Sequence, residues 1–186
     1  CMSHHSKLEK FEDNWQTSMG GWFAGEKVVL RGKNIFTQLN DKSWMEYLLY
    51  AVTGRESAKI SRLLEGMWVI CTSFPDPRIW NNRVSALAGT ARSSGALAAA
   101  ASVAVTEATI YGLKPIKGAT DFFYRLGDCL EKGQSLEAVV RSELKQHRSV
   151  FGYGRPLINE DERIAPMIDF AKSIGCGDGR YIKLAY

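Results

Sequence analysis

The stretch Asn81-Asn-Arg-Val-Ser-Ala-Leu-Ala-Gly-Thr-Ala-Arg-Ser-Ser-Gly-Ala-Leu-Ala-Ala-Ala-Ala-Ser-Val-Ala-Val-Thr-Glu-Ala-Thr-Ile-Tyr111 governs the reading of the whole chain. Nearly all its side chains are small, so two helix axes built from it can approach closely. An alanine-rich surface gains stability only where another surface removes it from water. The spacing predicts two helical pieces, divided near Gly89 to Gly95, buried against other helices and against a second subunit. An internal helix of a single-chain core would satisfy the same composition.

The flanking segments carry mostly helical punctuation. Upstream, Ser43 precedes Trp44, Tyr47, Leu48 and Ala51, and Gly54 follows; Ser57 precedes Ile60, Leu63, Leu64, Met67 and Trp68. Serine accepts hydrogen bonds from the free N–H groups of a first turn, and glycine closes a last turn, so two helices are expected. Phe74-Pro-Asp-Pro77 then forbids helix continuation. Downstream, Thr120 to Lys132 reads as an amphipathic helix ended by Gly133, Ser135 opens another that runs towards His147, and Glu160-Asp-Glu162 introduces a last one that Gly175 stops. The final residues read as a loop entering a further helix. Glu26 to Gly32 is the best strand candidate, whereas Trp15, Met19, Trp22 and Phe23 lie in an arm without clean period. The fold class is mostly α.

Composition narrows the function. With 186 residues and 45% hydrophobic content the chain can bury a real core. Its 24 basic and 20 acidic residues are interleaved, which speaks against a dedicated nucleic-acid binder. Cys1, Cys71, Cys129 and Cys176 lie far apart with three histidines, so neither a metal cage nor a disulfide framework is expected; His4 and His5 read as a polar terminus. No apolar run is long enough to cross a bilayer, the start is unlike a signal peptide, and a cytoplasmic location is expected. Cys71 reads as a small buried residue, and Trp15, Trp22, Trp44 and Trp68 as core or subunit contacts. Arg78, Arg83 and Arg92 read as ion-pair residues, and His147 as a cation favoured at a helix end.

Five segments together resemble the citrate synthase superfamily, which includes methylcitrate synthases and citryl-CoA lyase modules. They are Val28-Val-Leu-Arg-Gly-Lys-Asn-Ile35, Tyr47-Leu-Leu-Tyr-Ala-Val-Thr-Gly-Arg55, the small-residue pair, Pro115-Ile-Lys-Gly118, and Gly152-Tyr-Gly-Arg-Pro-Leu-Ile-Asn-Glu-Asp-Glu-Arg163. The resemblance implies a helical large domain that dimerises and a smaller domain that closes over the substrates. It implies boundaries at residues 1–25 for an arm, 26–132 for the large domain and 133–186 for a partial small domain.

It also implies chemistry at an acyl-CoA thioester. In such families a carboxylate removes a proton from the acyl group, while two histidines stabilise the enol and polarise an oxoacid. The first histidine belongs to a Gly-Pro-x-His-Gly-Gly-Ala turn, matched here by Lys114-Pro-Ile-Lys-Gly-Ala-Thr120, with Lys117 at its position. The second belongs to a Gly-x-Gly-His-x-Val turn, matched by Gly152-Tyr-Gly-Arg-Pro-Leu157, with Arg155 at its position. Arg163 matches the arginine that holds an oxoacid carboxylate, and the carboxylate base would come from a segment after Tyr186.

Imidazole passes protons near neutral pH, whereas lysine and arginine ordinarily remain cations there. Each lost acid–base group costs roughly 10²- to 10⁴-fold, so ordinary citrate synthesis is expected to fail. The leading expectation is a homodimer that binds an anionic metabolite, an oxoacid, tricarboxylate or acyl-CoA, through Lys117, Arg155 and Arg163. It takes no cofactor, with a CoA thioester only as substrate. Two alternatives stand beside it: a divergent acyl-CoA-dependent carbon–carbon bond-forming or cleaving enzyme using Lys117 and Arg155 as catalytic groups, and a dimerisation module without ligand.

Overall fold

Local signals begin and end most of the helices where physical chemistry puts them. A computed structural model describes residues 13, 17–72, 74–108, 112–153 and 161–186. Arg155, Trp15, His4 and His5 lie outside the described residues. The chain forms two compact units, Cys1–Trp68 and Val69–Tyr186.

In the first unit, β1 (Gly20–Phe23) pairs antiparallel with β2 (Lys27–Leu30), Gly20 opposite Leu30 and Phe23 opposite Lys27, and β2 pairs with β3 (Lys33–Asn34). The strand expected over Glu26 to Gly32 is β2. Strand β1 falls in the arm that carried no periodic signal, because β2 pairs with it through backbone groups that no side-chain pattern reports. The short helix α1 (Ile35–Gln38) follows, then α2 (Trp44–Thr53) and α3 (Ala58–Cys71). Ser43 and Glu46 form a reciprocal capping box at α2, Gly54 closes it at φ 73°, and the Ser57 hydroxyl accepts from Ile60 N at 3.2 Å to open α3. Arg31 ties the sheet to α2: its Nε donates to Ala51 O and its Nη2 to Val52 O, both at 3.0 Å, while Tyr50 donates back to Arg31 O at 2.7 Å. Two of these bonds satisfy C-terminal carbonyls of the helix that have no intrahelical donors, and the third returns a donor to the Arg31 carbonyl.

In the second unit, α4 (Trp80–Thr90) and α5 (Gly95–Val105) are the two small-residue helices and pack on each other, with Ser85 and Ser102 hydroxyls 2.6 Å apart. Arg92, in the left-handed region at φ 56°, turns the chain between them. The expected division is present, but burial against other helices of the same chain is not: within the single chain neither helix has a buried residue, and Leu87, Leu97 and Val103 are each more than 60% exposed. Their flat faces touch each other and leave the rest of each helix surface uncovered by the same chain.

Next come α6 (Leu113–Glu131), α7 (Leu136–His147), α8 (Ile164–Ser173) and α9 (Arg180–Ala185). Phe122, Leu126 and Val139 form the core of this unit, flanked by Phe123, Leu130, Val140, Val150 and Leu184. Glu143, almost fully buried, receives Arg125 Nη1 at 3.0 Å and Nη2 at 3.1 Å, and Arg125 Nε reaches Asp121 at 2.7 Å. That fork lets a carboxylate enter the α6–α7 contact without an orphaned charge.

Two expectations need correction. Helix α6 begins at Leu113, not Thr120, so the Lys114–Gly118 segment is helix instead of a junction. Pro115 is tolerated because it stands in the first turn, where an N–H would have no intrahelical acceptor. Cys71 is exposed, not buried, and its thiol contacts Met167 Sδ at 3.8 Å. Trp22, Trp44 and Trp68 are also largely exposed within the single chain.

Candidate functional site

Helix α6 positions Lys117 one residue before a glycine that the packing requires. A Cβ built on Gly118 would lie 2.3 Å from the Phe151 ring, closer than carbon atoms approach, so the aromatic ring occupies the notch that the missing side chain leaves. One residue further along both segments, a Cβ on Gly152 would come within 3.2 Å of Ala119 Cβ, and Gly152 has φ 89°. The rings of Phe123 and Tyr153 follow at 6.3 Å between centroids. The Phe151-Gly-Tyr153 turn therefore lies along the second and third turns of α6, and the segments read as separate motifs are in contact.

The turn is held from behind as well. Val150 packs against the core, Tyr153 N donates to Val150 O at 3.2 Å, and the Tyr153 hydroxyl donates to Ala185 O at 2.9 Å. Burial, with Tyr186 nearby, raises the Tyr153 phenol pKa. The phenol is therefore a donor at neutral pH, and its proton is committed to the backbone of α9.

Lys117 itself is exposed on α6, as is Lys114 one turn earlier. Arg163 stands at the N-cap of α8 and is forked onto Asp161: Nε to Oδ1 at 2.8 Å and Nη2 to Oδ2 at 2.5 Å, with Arg163 N also donating to Oδ1 at 3.0 Å. Asp161 raises the guanidinium pKa well above its ordinary value. An incoming carboxylate at Arg163 would have to replace or share this intrachain partner. Among the described residues, no hydrogen bond or ion pair joins Lys117 to Arg163. Arg155 follows Tyr153 by two residues and lies outside the described chain. No group of three or more His, Cys, Asp or Glu residues suited to a metal ion occurs among the described residues.

Sequence reasoning missed the aromatic residues of this region. Phe151 and Tyr153 read only as parts of a glycine-rich turn, and Tyr124 and Tyr181 carried no signal, yet their rings meet edge to face at 5.3 Å and 72°. The one available clue was Gly118 inside a helical pattern, since a glycine there costs stability unless close packing needs it.

No protein-family model matches the sequence, and no curated protein matches it. Solved structures do resemble it. Citryl-CoA lyase from Hydrogenobacter thermophilus superposes at a TM-score of 0.76 with 19% identity, over 92% of this chain and 65% of its own. ATP citrate lyase from Methanothrix soehngenii, solved with citrate and coenzyme A, gives 0.77 with 17% identity, over 98% of this chain and 30% of its own. A variant ATP citrate lyase from Methanosaeta concilii, solved with (3S)-citryl-CoA, gives 0.70 with 17% identity, over 92% and 28%. The chain thus spans just under two thirds of the lyase and less than a third of each ATP citrate lyase. Its fold is the mostly α, citrate-synthase-like fold that these enzymes share.

Proposed function

We propose, with that shared fold as premise, that this chain carries a binding site for an anionic metabolite at the first turns of α6, with citrate and CoA derivatives as the leading candidates. The carrying observation is the packing of Phe151 into Gly118, which brings the turn leading to Arg155 against the helix that bears Lys117. The neighbours solved with citrate, coenzyme A and citryl-CoA support this choice of ligand. Lys117 supplies a mobile ammonium, and Arg155 adds a planar fork suited to carboxylate or phosphate. Arg163 joins the site by exchanging Asp161 for the ligand.

Ordinary citrate synthesis is not part of the proposal. In the motif match Lys117 and Arg155 fall where the resembling families carry imidazoles, and neither cation replaces an imidazole in proton transfer near neutral pH. In this reading the chain binds and does not condense, and the large-domain and small-domain division at residue 132 is part of the same proposal.

A thermal-shift titration tests the binding. Citrate, oxaloacetate or CoA at one hundred times its dissociation constant stabilises the folded state by about 2.7 kcal/mol, and Lys117→Ala should reduce that response. No shift with any of them at millimolar concentration rejects the site. Release of free CoA from acetyl-CoA and oxoacids, lost in Lys117→Ala, would instead favour the divergent enzyme.

The exposed small-residue surface of α4 and α5 favours a second, compatible reading: homodimerisation through these helices. Sedimentation at micromolar concentration should give a dimer; a monomer rejects it.

A further inference from the structure

Two sulfur atoms, 96 residues apart in the chain, meet at the surface of the second unit. Cys71 is the last residue of α3, and Met167 stands in the opening turn of α8. The Cys71 thiol donates to Met167 Sδ across 3.8 Å. Core packing of two apolar sulfurs would hide both from water, yet Cys71 is exposed and Met167 only half-buried. The pair is therefore open to a solute.

We infer that Cys71 and Met167 chelate a soft monovalent cation of the copper(I) class. The thiol proton already stands between the two sulfurs, and the metal takes its place. Both sulfurs bind Cu(I), the S–H bond breaks, and the proton leaves to solvent. With metal–sulfur bonds of about 2.3 Å, the 3.8 Å separation of the sulfurs sets an S–metal–S angle of about 110°. That is the bent angle of a three- or four-coordinate ion, and its remaining positions face the exposed side, where water or a small thiol completes them.

Donor chemistry selects the metal. Thiolate and thioether are soft donors that favour Cu(I), whereas magnesium and calcium take carboxylate, carbonyl and water oxygens. Structural zinc needs four nitrogen, oxygen or sulfur ligands. Among the described residues no group of three His, Cys, Asp or Glu stands together, so the pair has no such set to join. Charge points the same way. One thiolate balances one positive charge, and the Arg163 guanidinium, one helical turn before Met167, is close enough to respond to a charge on Cys71. A second cation at that distance disfavours a divalent ion.

Thiol protection and metal competition on the full chain test the chelate. Cu(I), supplied anaerobically from a bathocuproine disulfonate buffer, should slow alkylation of Cys71 by iodoacetamide, read by peptide mass spectrometry, and Zn(II) at the same free concentration should not. Met167→Leu conserves volume and fold. It should weaken Cu(I) binding roughly tenfold or more, at least what loss of an outer-shell partner costs a metal site. X-ray absorption of the complex with one equivalent of Cu(I) should lose one sulfur neighbour in that variant. Equal protection of Cys71 in Met167→Leu would mean that the thiol binds alone, and the chelate would be rejected. Equal protection by Zn(II) would reject the soft monovalent ion, and no protection by Cu(I) in the wild type would reject the site. None of these results touches the anion reading, because neither sulfur belongs to it.

Discussion

Gly118 shows how much depends on a missing side chain. An alanine there would force the Phe151 ring and the turn behind it to move, and overpacking of this kind costs about 1–3 kcal/mol. Gly118→Ala should lower the urea midpoint accordingly, and Gly118→Ala combined with Phe151→Ala should recover part of the loss. Ser61 presents the opposite case. It is 2% exposed, and its hydroxyl has no hydrogen-bond partner among the described residues. Removing an unsatisfied buried hydroxyl relieves a desolvation cost, so Ser61→Ala should stabilise the protein by about 1 kcal/mol in urea denaturation. Arg163 differs from both: the sequence marks it only through a motif match, and its partner Asp161 emerges only from the folded turn.

Among the elements, α6 and α7 depend on a pairing that hydrophobic periodicity does not report. Glu143 would read as a solvent-facing residue of α7, yet it is buried beneath the Arg125 fork. Glu143→Ala removes both bonds of the fork but leaves Arg125 45% exposed and still paired with Asp121, so it should cost about 1.5–2 kcal/mol, the loss of hydrogen bonding to a charged group without an orphaned buried charge. Chemical denaturation checks this, and the loss should exceed that of Glu137→Ala, which breaks an exposed pair with Arg141. The helix boundaries were far more legible. Ser43, Ser57 and Ser135 accept from their first-turn amides, and Gly54, Gly133 and Gly175 adopt positive φ at helix ends, all within a few residues of chain.

For the whole molecule, acid is the informative perturbation. Glu46, Glu56 and Asp76 have folded-state pKa values below their ordinary ones: Glu46 through the backbone N–H of Ser43, Glu56 through Lys33 and then Lys42, and Asp76 through the Arg78 fork. A depressed folded pKa contributes stability that is full above the unfolded value, about 4, and is lost as pH falls through the folded value. Melting temperature should therefore change little from pH 7 to 5 through these groups and drop below pH 4. Asp76→Asn should flatten part of that drop, and a profile identical to wild type would remove Asp76 from this account.

Capping serines, helix-stopping glycines and the paired prolines were enough to mark most of the helices, because each acts on backbone groups a turn away. The order of five weak motifs was enough to indicate the fold, which structures at 17–19% identity share. Tertiary structure alone decided that Pro115 lies inside a helix, that β1 joins the sheet, that Cys71 faces outward, and that Gly118 receives Phe151. Each depends on atoms brought together from distant parts of the chain, where packing and exposure rather than local propensity determine the free energy. Lys117 was visible from the start as a cation in an unusual position; that it shares one helix with Phe122 and Phe123 became visible only once α6 was seen to begin at Leu113.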